Sequence, residues 1–232
     1  AAQNQTLIAA NTLADADGVG TVGYQWQSST DGTTWSDING ATASSFTLGE
    51  TQVGQQVRAL ASYTDGHGTS ESIASSATTA IANINDAPTG SITVTGTATQ
   101  GQTLTATNTL ADIDGLGAIS YQWQADGIAI SGATASTLVL AEAQVGKAIS
   151  VTASYTDGHG TAESVASAAT TAIANINDAP IGTVTISGTA AQNQTLTASN
   201  TLADIDGLGA ISYQWQADGI AISGATASTL VL

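Results

Sequence analysis

No cysteine occurs among the 232 residues, so the chain has neither disulfides nor thiolate metal ligands. Any stiffening has to come from packing or from oxygen ligands. Basic residues are nearly as scarce: Arg58 and Lys147 stand against 18 acidic residues, for a formal charge of -16. Phosphate binding needs clustered Lys and Arg, so nucleic acid is excluded as a partner. No apolar run approaches the roughly 20 residues of a bilayer-crossing helix, and membrane insertion is excluded on the same footing. No signal peptide is visible, and none is expected in a chain that opens within a repeat. What is present is a folding composition. Hydrophobic residues make up 42% and charged residues 9%, which is unlike a disordered acidic tail.

The chain repeats itself, and a missed repeat misreads a fold. N-I-N-D-A-P occurs at Asn83 to Pro88 and at Asn175 to Pro180, a step of 92 residues. Y-T-D-G-H-G, beginning at Tyr63 and Tyr155, and Y-Q-W-Q, beginning at Tyr121 and Tyr213, keep the same step of 92. Tyr24 to Tyr121 is 97, and the five extra residues fall in S-S-T-D-G-T-T-W-S-D-I-N-G, which replaces A-D-G-I-A-I-S-G. The expected domains are residues 1–86, a repeat lacking its first strand, 87–178, a complete repeat, and 179–232, the first part of a third. A window on a longer tandem array is the expectation.

Alternation with a period of two runs through Ser91 to Thr95, Gln102 to Thr107, Ile119 to Gln124, Ser136 to Leu140 and Ile149 to Tyr155, with Gly and Asp turns between. The Ala-rich Glu163 to Ala174 is read as a strand too, because Ser and Thr fill alternate positions and no cap or charged face supports a helix. The expected fold is all-β, with about seven antiparallel strands per complete repeat forming a sandwich.

Y-Q-W-Q followed by G-A-T-A-S-T-L-V-L, then Q-V-G-K and V-T-A-S-Y-T-D-G-H-G-T, resembles the bacterial immunoglobulin-like repeats of very large secreted adhesins. The resemblance covers essentially the whole chain. It implies that Trp26, Trp123 and Trp215 are core anchors, that Tyr63 and Tyr155 lie near a tyrosine corner, and that the role is extracellular and structural or adhesive. The cysteine pair of antibody domains is missing.

In a seven-strand sandwich the entering chain and the loops after the second and sixth strands share one pole. Asn85 and Asp86 of the linker are therefore expected beside Asp112, Asp114 and Asp157. Two like charges about 4 Å apart repel by roughly 4 kcal/mol at an effective dielectric near 20, and no Lys or Arg is placed to offset this. A hard cation offsets it, and calcium takes six to eight oxygens from such groups. The expected cofactor is calcium, held by Asn85, Asp86, Asp112, Asp114 and Asp157, by Asn177, Asp178, Asp204 and Asp206 at the next junction, and by Asp15, Asp17 and Asp65 in the first repeat. N-I-N-D-A-P and D-I-D-G also resemble the calcium-ligating linker and paired aspartates of cadherins, except that Asn83 and Asn175 stand where a further Asp is usual. An EF-hand is excluded, since counting from Asp112 puts Trp123 where a bidentate Glu is needed.

Other readings stay open at this level. Asp and Asn before Gly are ordinary turn residues, and Pro88 and Pro180 stiffen a linker without metal. Glu50 and Glu142 fall in a turn at the opposite pole, within possible reach of the next junction, and His67 and His159 sit in Gly-flanked loops. Trp35, inside the insertion, either covers a sheet edge or stacks on sugar. Catalysis has no support, because no nucleophile is paired with a base and two aspartates two residues apart do not flank a substrate. The expected function is a stiff extender of a secreted or cell-surface bacterial adhesin, with neighbouring repeats as partners and a cell-surface or glycan target bound by domains elsewhere. A self-assembling filament of many copies and a carbohydrate-binding array are the alternatives.

Overall fold

A computed structural model describes residues 1–232. The fold is all-β, built from short antiparallel strands and two single 3-10 turns, Glu50–Gln52 and Glu142–Gln144. No helix is long and apolar enough to cross a membrane. The chain divides into two compact units, one of residues 1–91, 108–120 and 153–165, the other of residues 92–107, 121–152 and 166–232.

In the first unit, strand Gly23–Ser29 pairs along its length with Gln56–Thr64, which pairs in turn with Ser70–Ala74, while Ser36–Asp37 closes the other edge. A second sheet joins Thr6–Ile8 to Ser45–Thr47. The period-two pattern decides which side chains face in: Val57, Ala59 and Ala61 alternate into the core from one strand. Trp26, Leu48, Val57, Ala59 and Ile81 form the buried cluster, with Leu7 and Phe46 of the second sheet packed on it. Trp26 and Phe46 stack at 5.7 Å between ring centroids. This unit also holds two loops of the second repeat, residues 108–120 and 153–165, and Gly117 and Gly158 permit very close backbone approach between them. A Cβ on Gly117 would lie 2.0 Å from the Thr156 carbonyl oxygen, and one on Gly158 2.6 Å from that of Asp114.

In the second repeat, Thr103–Asn108 lies between Ile92–Thr95 and Thr137–Val139, and Ser120–Ala125 lies between Ile128–Ala129 and Ile149–Thr156, which Ala162–Ala166 follows. The third repeat builds the same three-stranded order from Val184–Ser187, Thr195–Asn200 and Thr229–Val231. Tyr213 to Trp215 lies outside any strand, having no neighbour of the kind that Ile149–Thr156 gives Tyr121 to Trp123.

Y-Q-W-Q acquires a specific meaning. Each Trp indole N–H donates to a backbone carbonyl across the core: Trp26 to Ala43, Trp123 to Ala135 and Trp215 to Ala227, at 2.8–2.9 Å. The Gln before each Trp donates twice, from Gln25 to Trp26 O and Ile38 O, from Gln122 to Trp123 O and Ile130 O, and from Gln214 to Trp215 O and Ile222 O. That amide fixes the hairpin after the strand.

One strand expectation is corrected. Of Glu163 to Ala174, only residues up to Ala166 belong to a strand, Ala162–Ala166, with isolated bridges at Ala172, Ile173 and Ala174. The Ser and Thr residues that suggested alternation compete with the ladder. The Val151 amide donates to Ser167 Oγ and the Ile149 amide to Thr170 Oγ1, each at 3.0 Å, so side-chain oxygens replace backbone ones. The first repeat repeats the device with Ser75 and Thr78.

Candidate metal centre

The linker is clamped before any ion is considered. Gln3 Nε2 donates to Asp86 Oδ2 at 2.9 Å, and Gln3 Oε1 accepts from the Ile84 amide. The Asp86 amide then donates to Asp114 Oδ2 at 2.6 Å. In the second unit Gln100, Ile176, Asp178 and Asp206 make the same three bonds. Neither glutamine stood out in the sequence, although Gln3 and Gln100 recur at the 97-residue offset of Tyr24 and Tyr121.

Asp114 is only 4% exposed and its Oδ1 has no partner. Asp157, 6% exposed, accepts from the His159 and Thr161 amides through Oδ1, while its Oδ2 has none. Burial acts to raise the Asp157 pKa, and the N–H donors of Thr161 and His159 outweigh it and hold the carboxyl below its ordinary value. The Gly158 amide donates to the Asp114 carbonyl oxygen, which binds this loop to the Asp114 loop. Glu50, from the 3-10 turn, meets His159 with Oε1 3.2 Å from Nε2, and its Oε2 is buried without a partner. Glu50, Asp114 and His159 thus offer ligand atoms within 4.8 Å of one another. A buried carboxylate oxygen with nothing to bond is costly, and this set of ligand atoms could hold a cation.

The second unit holds an all-carboxylate counterpart. Glu142, Asp178 and Asp206 offer ligand atoms within 4.8 Å, and Glu142 Oε2 and Asp206 Oδ1 are buried and unpartnered.

The other expected ligands have different occupations. Asp112 accepts from the Asp114 amide and from the Tyr155 hydroxyl. Asn85 donates to Glu163 at 2.7 Å, Asn177 donates to the Asp178 carbonyl, and Asp204 accepts from the Asp206 amide. Asp15 accepts from the Asp17 amide and the Tyr63 hydroxyl, Asp17 lies 3.4 Å from His67, and Asp65 accepts from the His67 and Thr69 amides, with no third ligand gathered there. The residues the sequence reading undervalued are Glu50 and His159. The recurrence of both at the 92-residue step, as Glu142 and His67, was the available signal.

The Tyr–Asp pairs have a pH consequence. The hydrogen bond to Asp15, then burial and the Asp15 charge, push the Tyr63 phenol up from 10.0 to about 12. A raised pKa means the fold prefers the neutral phenol. Its contribution is therefore complete below pH 10 and is lost as pH rises through about 12. Asp15→Asn is expected to return Tyr63 toward 10, read by spectrophotometric phenol titration. Tyr155 is raised in the same direction, by burial first and then by its bond to Asp112.

Trp35 is half-buried, with the Arg58 guanidinium 4.2 Å from its ring centroid. Arg58 also donates to Gln27, so one of the two basic side chains is spent inside its own repeat.

Residues 1–84 match a family described as "Domain of unknown function (DUF8696)", and the match ends at the start of the linker. No curated protein matches the chain.

Proposed function

We propose that the chain is a tandem array of immunoglobulin-like β-sandwiches, with domains at residues 1–86, 87–178 and 179–232, that serves as a structural extender of a secreted or cell-surface bacterial adhesin. Calcium at the junctions sets its stiffness. The observation that carries this reading is the set of buried, unpartnered carboxylate oxygens on Glu50, Asp114 and Asp157, with Glu142 and Asp206 repeating part of it in the second unit. Buried ionised oxygens at a repeating position suit a hard divalent ion, and extracellular modules hold calcium at roughly 10⁻⁴ to 10⁻³ M. The antiparallel sheets around a buried Trp support the sandwich, and the resemblance of the repeats supports the adhesin. The role is mechanical, one of spacing and stiffening.

Calorimetric titration with calcium tests this. The wild-type chain is expected to show saturable binding, and Asp114→Asn to weaken the first event at least ~10-fold, because the loss of one carboxylate charge removes more than an outer-shell contact does. Identical isotherms for the two proteins would sink the assignment.

A further inference from the structure

The two ligand sets differ in kind. Glu142, Asp178 and Asp206 offer only carboxylate oxygens, whereas Glu50 and Asp114 are joined by the imidazole of His159. We infer that the Glu50–Asp114–His159 set is a site for a first-row transition ion of the zinc class, which competes with calcium at that junction alone. The inference rests on the reading of the junction as a cation site and specifies which ion it prefers.

Calcium is a hard ion that takes oxygen ligands, while imidazole nitrogen suits zinc, copper, iron and nickel. Ligand atoms about 2.0–2.1 Å from a tetrahedral zinc lie roughly 3.3 Å from each other. His159 Nε2 and Glu50 Oε1 are 3.2 Å apart, a separation that needs little movement to share an ion. Two carboxylates and a neutral imidazole carry the charge that one divalent ion cancels. Independently of the histidine, Asp114 is 4% exposed with a free Oδ1, and Glu50 Oε2 is buried and free. The outer contacts are also in place. The Asp86 amide orients Asp114 through Oδ2, and Asp157 holds the His159 amide. Such contacts fix ligand geometry in metal sites. The His159 and Glu50 side chains keep 34% and 25% of their surface exposed, which leaves a way in for an ion. His67, at the equivalent position of the first repeat, is 74% exposed and meets only Asp17. It is a built-in control.

The test is calorimetry of the whole 232-residue chain with zinc chloride, and separately with calcium chloride, for wild type, His159→Ala and His67→Ala. One saturable zinc event is expected, weakened more than ~100-fold by His159→Ala, beyond the usual ~10–100-fold cost of an outer-shell change, and unchanged by His67→Ala. Cobalt loading is expected to give a visible absorption band that His159→Ala abolishes. Absence of saturable zinc uptake, or equal zinc affinity in His159→Ala, overturns the inference. The two readings fail separately. Zinc uptake at His159 without any calcium binding removes calcium stiffening and leaves this site standing, and calcium uptake without zinc does the reverse.

Discussion

Trp123→Ala is expected to destabilise the second unit by about 3–5 kcal/mol, measured by denaturant unfolding followed by circular dichroism. Trp123 is 0% exposed, so its removal leaves a cavity the size of an indole in a β-layer whose neighbours are mostly Ala, Val, Leu and Ile. The change also orphans the Ala135 carbonyl, which accepts the indole N–H at 2.8 Å. Domains of this size are stable by about 5–15 kcal/mol, so the loss is a large share of the total. Trp35→Ala is the contrasting case. That ring is half-buried and covers one guanidinium, and its loss is expected to cost only about 0.5–1 kcal/mol. Equal losses for the two would contradict the placement of the core.

Chelation of calcium is expected to have the next largest effect. An ion that binds only the folded state stabilises it by about 0.4–1.4 kcal/mol per site in millimolar calcium, where free ion is ~1–10-fold above a Kd of ~10⁻⁴ to 10⁻³ M. In the proposed site the gain would come from giving the unpartnered oxygens of Glu50 and Asp114, gathered with His159, a cation to bind. Thermal unfolding in millimolar calcium and then in excess chelator is expected to show a drop of several degrees. Asp114→Asn should start near the chelated value and respond little to chelator.

Much of this fold was legible because its period is simple. Alternating side chains from Ile149 to Tyr155 become strand Ile149–Thr156, and Q-T-L-T-A-T becomes Thr103–Asn108. Glu163 to Ala174 misled because alternation of Ser and Thr reports two tendencies at once, a pleated face and a hydroxyl able to replace a ladder bond; Ser167 and Thr170 follow the second. The pole of the site was legible for the same topological reason as the strands, and the Asp86 amide does reach Asp114. Which oxygens remain free was not. Asp112 looks equivalent to Asp114 in D-I-D-G, yet the hydroxyl of Tyr155, 43 residues later, accounts for its second oxygen. Glu50 was illegible for a different reason. Its meeting with His159 spans 109 residues and depends on the angle at which one repeat follows the last, a quantity the repeat period does not encode. The Gln3 and Gln100 clamps are neutral amides, and polarity alone gave them no signal.

Those clamps sharpen the decisive question, because glutamine and proline are also able to hold the linker without metal. Small-angle X-ray scattering of three complete copies of residues 87–178, in millimolar calcium and then in excess chelator, separates the two causes. A profile that turns from that of a rigid particle to that of a flexible chain on chelation is the result the account predicts. An unchanged profile would contradict it, leaving packing and the Gln–Asp clamps as the source of stiffness.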